Sequence, residues 1–118
     1  TPITIDELNE LILKTERELN GDILNFWQLV RTQPTKWNED GYGKEGNGFW
    51  VVGLIGTKVI YYNDIEEGFN ISEYTTYGRI DEYACNQDEL TWTIGRLFEL
   101  IKSGGQARGQ RGQPTEIR

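Results

Sequence analysis

Apolar residues recur at helical spacing near the start of the chain, and this pattern predicts a first helix. Thr4 and Glu7 have the spacing of a capping box, so the helix is expected to begin directly after Thr4. Asn20 and Gly21 interrupt the pattern, and a shorter second helix is expected at about residues 22–31, closed by Pro34. The side chains expected to face inward from both helices are Leu8, Leu11, Ile12, Leu19, Ile23, Trp27 and Val30.

Continuous or alternating apolar residues predict strands in the middle of the chain. Three strands are expected at residues 49–55, 58–63 and 69–74, with a two-residue hairpin turn formed by Gly56 and Thr57. A fourth strand is expected at about residues 78–84. Residues 69–74 alternate, so Asn70 and Ser72 should share the face opposite to that of Phe69 and Ile71.

The last helix is expected to begin at Asn86, because Asn86 and Glu89 have the spacing of a second capping box, and Gly104 should end it. The element order predicts an α+β fold of two layers, in which N-terminal helices and a C-terminal helix pack on a 3–4-stranded antiparallel meander sheet. We expect one contiguous core, made of Leu8, Leu11, Ile12, Trp27, Val52, Leu54, Ile60, Leu90, Ile94, Leu97 and Ile101.

Length and composition indicate one compact domain, residues 1–102, followed by a flexible, polar, weakly basic tail, residues 103–118. The chain has 118 residues, of which 36% are hydrophobic, enough for one modest core. No apolar run approaches the roughly 20 residues of a membrane span, and no signal-peptide pattern is visible. We therefore expect a cytoplasmic protein without a membrane partner. The repeated Arg-Gly-Gln of the tail leaves RNA contacts open as an alternative.

The net charge of −7 is unevenly distributed along the chain. Residues 1–102 hold 9 basic and 18 acidic residues, whereas the tail holds three arginines and one glutamate. Such a body is a poor match for a phosphate backbone, so DNA is not an expected partner. A protein partner with a basic surface fits better, and a homo-oligomer is compatible with the sequence. The simpler interpretation is that the acidity serves solubility alone.

The chain has no histidine and only one cysteine, which excludes several kinds of chemistry. Ser-His-Asp and Cys-His catalysis cannot be built within it, nor can an ordinary zinc site. We assign no catalytic residue, metal or cofactor, although carboxylate or lysine chemistry stays open. Cys85 is expected to be a buried structural thiol, and a single cysteine indicates a reducing compartment.

Gly41, Gly43 and Gly46 form a literal G-x-G-x-x-G. A dinucleotide fingerprint needs a strand before the first glycine and a helix after the last, so that phosphate meets the free amides of the helix. Here a helix and Pro34 precede the glycines, and a predicted strand follows them. We interpret this segment as a helix-to-strand connection and expect no nucleotide there.

The stretch from Tyr62 to Tyr74 carries the candidate binding residues. Four carboxylates occur within ten residues without an intervening Lys or Arg, and the turn at Gly68 should cluster them. A weak calcium site at Asp64, Glu66 and Glu67, a glycosidase-type carboxylate pair and a merely solvated turn are the alternatives. The interpretation that we favour is a partner-binding patch of Tyr62, Asp64, Glu66, Glu67, Glu73 and Tyr74.

No motif is specific enough to identify a family. In size, acidity and order of elements the chain is similar to small bacterial proteins of the immunity or antitoxin type, a similarity that carries no residues across. It implies a small acidic, non-enzymatic protein-binding domain, such as an inhibitor of a basic nuclease toxin. The alternative is a small carboxylate-using enzyme or a carbohydrate-binding module that uses the many aromatic residues.

Overall fold

Three helices and a four-stranded antiparallel sheet make up the fold, in a computed structural model that describes residues 2–42 and 47–104. The helices are α1 (Ile5–Glu18), α2 (Gly21–Val30) and α3 (Leu90–Ser103), and the strands are β1 (Arg31–Trp37), β2 (Phe49–Ile55), β3 (Lys58–Asn63) and β4 (Gly68–Glu73). The strands form a meander in the order β1-β2-β3-β4, so the predicted two-layer α+β class is confirmed. The predicted tail overlaps α3 at Ser103, and residues 105–118 lie outside the described part.

Strand β1 is not in the place where a fourth strand was expected. It follows α2 without a connecting loop and pairs with β2, whereas residues 78–84 contribute only an isolated bridge between Asn38 and Arg79. Pro34, which was expected to close α2, lies inside β1. An edge strand tolerates proline because one side of its backbone has no neighbour that needs the missing N–H. The glycine-containing segment therefore connects two strands, and its interpretation as a helix-to-strand connection is wrong.

The helices cover one face of the sheet. Thr4 caps α1 as predicted, with its hydroxyl accepting from the Glu7 amide at 3.1 Å and the Glu7 carboxylate accepting from the Thr4 amide at 3.0 Å. Trp27 of α2 is fully buried, and its indole nitrogen donates to Glu16 of α1 at 2.8 Å. The buried residues on this side are Leu8, Ile12, Leu19, Phe26, Trp27, Val30, Val52, Ile60, Tyr62, Phe69, Leu90, Ile94 and Leu97.

The opposite face of the sheet has its own core, so the expectation of one contiguous core is wrong. It contains Trp37, Phe49, Val51, Val59, Tyr61 and Ile80. Leu54 packs here because an irregularity between Val51 and Gly53 of β2 shifts the alternation of side chains. Ile101 belongs to neither core and is 37% exposed, while Leu100 is buried in its place.

The second core is covered by residues 74–89, an irregular segment that we call the covering segment. Asn63, Asn70 and Ser72 point toward it, as the alternation predicts for the last two, and all three are buried. Their side chains bind its main chain: Asn63 Nδ2 donates to Ala84 O at 2.8 Å, and Asn70 exchanges hydrogen bonds with the N–H and C=O of Asn86 at 2.9 and 3.0 Å. On this face of the sheet the cover is therefore an irregular segment held by buried polar side chains, and not a helix.

Helix α3 begins three residues later than predicted. Its N-cap is Glu89, whose side chain makes no capping hydrogen bond, so the predicted capping box of Asn86 and Glu89 is wrong. The backbone of Asn86 is instead held by Asn70, which keeps this residue at the sheet edge. Gly104 ends the helix with a φ of 73°, as predicted.

A stabilising substitution is expected at Gly95 in the middle of α3. Added there, a Cβ atom would meet only Ile23 Cδ1, at the ordinary contact distance of 3.7 Å. Alanine loses less backbone entropy than glycine in a helix, so Gly95→Ala should raise the free energy of unfolding by about 0.5–1 kcal/mol. Urea denaturation of the two proteins measures this change, and a lower midpoint for the variant would contradict the packing.

Candidate functional site

A groove rich in carboxylates runs between α1 and the turn that joins β3 to β4. It consists of two adjoining depressions that share Leu11, Tyr62 and Glu67, and we call the whole the acidic groove. One depression lies beside the first turns of α1, and the other reaches the residues that precede α3. The carboxylates that line them are Glu7, Glu10, Glu18, Asp64, Glu67, Asp88 and Glu89.

The wall of the groove formed by the β3–β4 turn is held in place by Asn63. Its Oδ1 atom accepts from the amides of Ile65 and Glu66 at 3.0 and 3.2 Å, which fixes the backbone of the turn. Asp64 joins the turn to the start of the chain, because its carboxylate accepts from the Ile3 amide at 3.0 Å. The turn ends at Glu67, which has a φ of 62° and precedes Gly68.

Gly68 allows the backbone of the covering segment to approach the sheet edge. A Cβ atom at this position would lie 2.3 Å from the Cα of Gln87. Directly after it, the Phe69 amide donates to Asp88 O at 2.9 Å, which continues the edge of β4. This close contact places Asp88 and Glu89 beside Glu67, so three carboxylates from distant parts of the sequence share one depression.

Tyr62 lies at the junction of the two depressions. Its side chain is 9% exposed and its ring packs edge-on against Phe69, with centroids 4.9 Å apart. Within the described residues, nothing hydrogen-bonds to its hydroxyl group, which opens to the groove. Burial raises the pKa of Tyr62, and the carboxylates of Glu67, Asp64 and Glu7 raise it further. The phenol therefore stays protonated and neutral at physiological pH.

The charges of the groove are almost all of one sign. Lys14 is the single basic residue among those that line it. The four ion pairs found between residues that the structure describes lie elsewhere: Arg31 with Glu16, Lys58 with Glu73, Arg79 with Asp40, and Lys102 with Glu99. Seven carboxylates held together beside a single lysine repel one another, so this surface would gain from a cationic partner.

The structure brings together only part of the patch that the sequence predicts. Tyr62, Asp64 and Glu67 line the groove, and Glu66 lies half-buried in the same turn but outside the lining. Glu73 lies at the other end of β4, where its carboxylate pairs with Lys58 at 3.1 Å and accepts from the Thr57 hydroxyl at 2.7 Å. Tyr74 packs edge-on against Trp37 on the opposite face of the sheet, with centroids 5.0 Å apart.

Helix α1 supplies groove residues that the sequence analysis missed. Glu7, Glu10, Lys14 and Glu18 recur at spacings of three and four, which places them along one side of the helix. This charged stripe beside the apolar face is visible in the sequence. The charged side of α1 lies near the β3–β4 turn only in the folded protein, and a local sequence pattern cannot predict such a tertiary contact.

Two chemical alternatives find no support in the geometry. Among residues 2–42 and 47–104, no three carboxylate or thiol side chains are placed to hold one metal ion, Asp64, Glu66 and Glu67 included. Of the three glycines in the nucleotide-like pattern, Gly43 and Gly46 lie outside the described residues. The amide of Gly41 already donates to the Glu39 carboxylate at 3.0 Å, and β2 rather than a helix begins at Phe49.

The prediction for Cys85 is wrong, and two aromatic side chains are exposed on the second face of the sheet. Cys85 is exposed rather than buried: hydrogen bonds from the sheet hold the main chain of its neighbours Ala84 and Asn86, and its own side chain stays outside. The rest of this second face is largely covered. Tyr42 and Tyr77 stay exposed: the ring of Tyr42 is tilted against Tyr83 with centroids 4.1 Å apart, and that of Tyr77 lies edge-on to Trp37 with centroids 4.8 Å apart.

Throughout the described part of the chain, every helix is too short or too polar to cross a membrane. No protein-family model, no curated protein and no solved structure matches this chain.

Proposed function

We propose that the protein is a small non-enzymatic binding domain that uses the acidic groove to recognise a partner protein with a basic surface. The observation that carries this proposal is the set of groove carboxylates with no ion-paired Lys or Arg among the described residues. Protein surfaces usually mix the two signs more evenly, and seven carboxylates beside one lysine repel one another unless a partner supplies the opposite charge.

Local hydrogen bonds and close backbone contacts hold the elements that form the groove. Its carboxylates come from a capped helix, from a turn fixed by Asn63 and from a segment held against Gly68. Because these elements are already ordered in the folded protein, binding a partner would cost little additional conformational entropy on this side of the interface. Among proteins with basic surfaces, a nuclease is one fitting class, since its nucleic-acid-binding face is basic; an inhibitor of the immunity or antitoxin type would cover that face.

The test is capture of partners from a lysate of the source organism by the tagged protein, followed by kinetics with the purified partner. Reversing two groove charges, Glu10→Lys with Glu67→Lys, should lower the association rate constant about tenfold or more at low ionic strength. The control reverses two exposed carboxylates outside the groove, Asp22→Lys with Asp81→Lys, and so changes the net charge equally.

The two double variants separate groove recognition from general charge attraction. We expect the groove variant to lose far more of the association rate than the control, with the difference shrinking at high ionic strength because salt screens exposed charges. Surface plasmon resonance at two salt concentrations measures both rates. Equal losses for the two variants would reject the groove as the binding surface.

A carbohydrate-binding module is the second candidate, favoured by the exposed rings of Tyr42 and Tyr77. Each lies two residues along the chain from a member of the ion pair between Asp40 and Arg79, and each contacts a second aromatic ring. Flat aromatic rings beside polar groups are a surface on which sugar rings can stack. Saturable binding of soluble oligosaccharides in calorimetry, lost in Tyr77→Ala, would favour this candidate over the first.

A further inference from the structure

We propose that the acidic groove binds an extended, lysine- or arginine-bearing segment of the partner protein, and that one cationic side chain of this segment sits at Tyr62 and donates an N–H to the phenol oxygen. This inference rests on the proposed function and names the chemistry of its partner. It depends on two independent observations: the distribution of the carboxylates, and the hydroxyl group of Tyr62.

The carboxylates are spread along the groove and do not converge on a point. From Glu7 to Glu18 the charged side of α1 extends about 17 Å, at 1.5 Å per residue. On the facing side, Asp64 and Glu67 come from the turn, and Asp88 follows from the covering segment. Since no three of these groups are placed to hold one metal ion, the arrangement fits several separate monovalent cations. An extended peptide presents such a row, at about 3.3 Å per residue.

Tyr62 offers a specific contact for one of the cationic side chains of such a peptide. A phenol oxygen is both a donor and an acceptor, and this one has no protein partner among the described residues although the side chain is nine-tenths buried. An ammonium or guanidinium group beside it could donate to the phenol oxygen and lie close to the carboxylates of Asp64 and Glu67. Such a contact is charge-assisted and partly shielded from water, where hydrogen bonds contribute more than on an open surface.

The test uses a fluorescently labelled decapeptide of alternating lysine and serine, with an otherwise equal peptide of glutamine and serine as the neutral probe. We expect the lysine peptide to bind with an affinity that falls as salt rises, and the glutamine peptide not to bind. Tyr62→Phe keeps the buried ring and removes only the hydroxyl, so it should weaken binding about tenfold. Tyr83→Phe removes a hydroxyl on the opposite face of the sheet, outside the groove, and should leave the affinity unchanged.

Glu66 and Glu67 provide a matched pair of charge variants. They are neighbours in one turn, but only Glu67 lines the groove. Glu67→Gln should therefore weaken the lysine peptide several-fold more than Glu66→Gln does, although both remove one charge. Fluorescence anisotropy gives the affinities, and urea denaturation of each variant shows whether its fold is intact.

Other outcomes would overturn the inference without deciding the proposed function. If binding of the partner depends on the groove charges while binding of the lysine peptide is insensitive to Tyr62→Phe, the groove is the binding surface, but no cationic side chain is bound by the Tyr62 hydroxyl. If the lysine peptide does not bind, or if spermine binds as tightly as the peptide, the groove does not recognise an extended basic segment. The proposed function is tested separately. It fails if the partner associates at the same rate with the groove double variant as with the control double variant.

Discussion

Trp27→Ala is expected to lower the free energy of unfolding by about 3–5 kcal/mol, the range found when a large buried aromatic side chain is removed. The indole is fully buried in the core beneath the helices, and its ring lies against Gly53, where an added Cβ atom would be 3.1 Å from Cζ3. Its N–H also joins α2 to Glu16 of α1. Alanine would leave a cavity and remove this hydrogen bond at the point where two helices meet the sheet.

The control for this substitution is Trp92→Ala on α3, since Trp92 is also helical but 64% exposed. Its removal should change the free energy of unfolding by no more than about 0.5 kcal/mol. Urea titration followed by far-UV circular dichroism is the suitable measurement, because both variants alter tryptophan fluorescence directly. Similar midpoint shifts for the two variants would mean that Trp27 is not packed as described.

Gly68→Ala should also be strongly destabilising, by about 1–3 kcal/mol or more. The new methyl group would lie 2.3 Å from Cα and 2.5 Å from the carbonyl carbon of Gln87. These are main-chain atoms, so no change of rotamer can relieve the clash and the covering segment must move. Since that segment carries Asp88 and Glu89, the same substitution should weaken binding of the lysine peptide.

Gly95→Ala is the matched control, because it adds the same methyl group where there is room and should change stability in the opposite direction. Denaturant midpoints and peptide affinity are measured for both variants. If Gly68→Ala were as stable as the parent protein, residues 86–88 could not lie against β4, and the second depression of the groove would lose its wall.

Local patterns predicted most of the fold, and the misses have identifiable physical causes. Capping, helical periodicity and alternation are properties of neighbouring residues, so α1, α2 and the three strands β2, β3 and β4 were found. Strand β1 was missed because it is polar and contains Pro34, and an edge strand needs neither an apolar face nor every N–H. Asn86 has good capping chemistry, but the side chain of Asn70 binds its backbone instead.

The candidate site was predicted in part for the same reason. Tyr62, Asp64 and Glu67 lie close in sequence and stay close in space, because a short turn keeps them together. Glu73 was expected beside them, but it lies at the far end of β4, where the register places it opposite Lys58. The remaining walls come from α1 and from the covering segment, and contacts between such distant segments are set by tertiary packing.

The contact between the sheet and the covering segment depends on the identity of the sheet residues more than on that of the segment residues. Tyr61, Asn63 and Asn70 recognise the segment through its N–H and C=O groups at Ala84 and Asn86, which almost any residue would offer. Substitutions along residues 84–87 can therefore exchange exposed side chains such as Cys85 without removing these bonds. The three buried recognising residues have no such freedom. The exposed side chains of this segment can thus vary in sequence while the buried sheet residues that hold it stay the same.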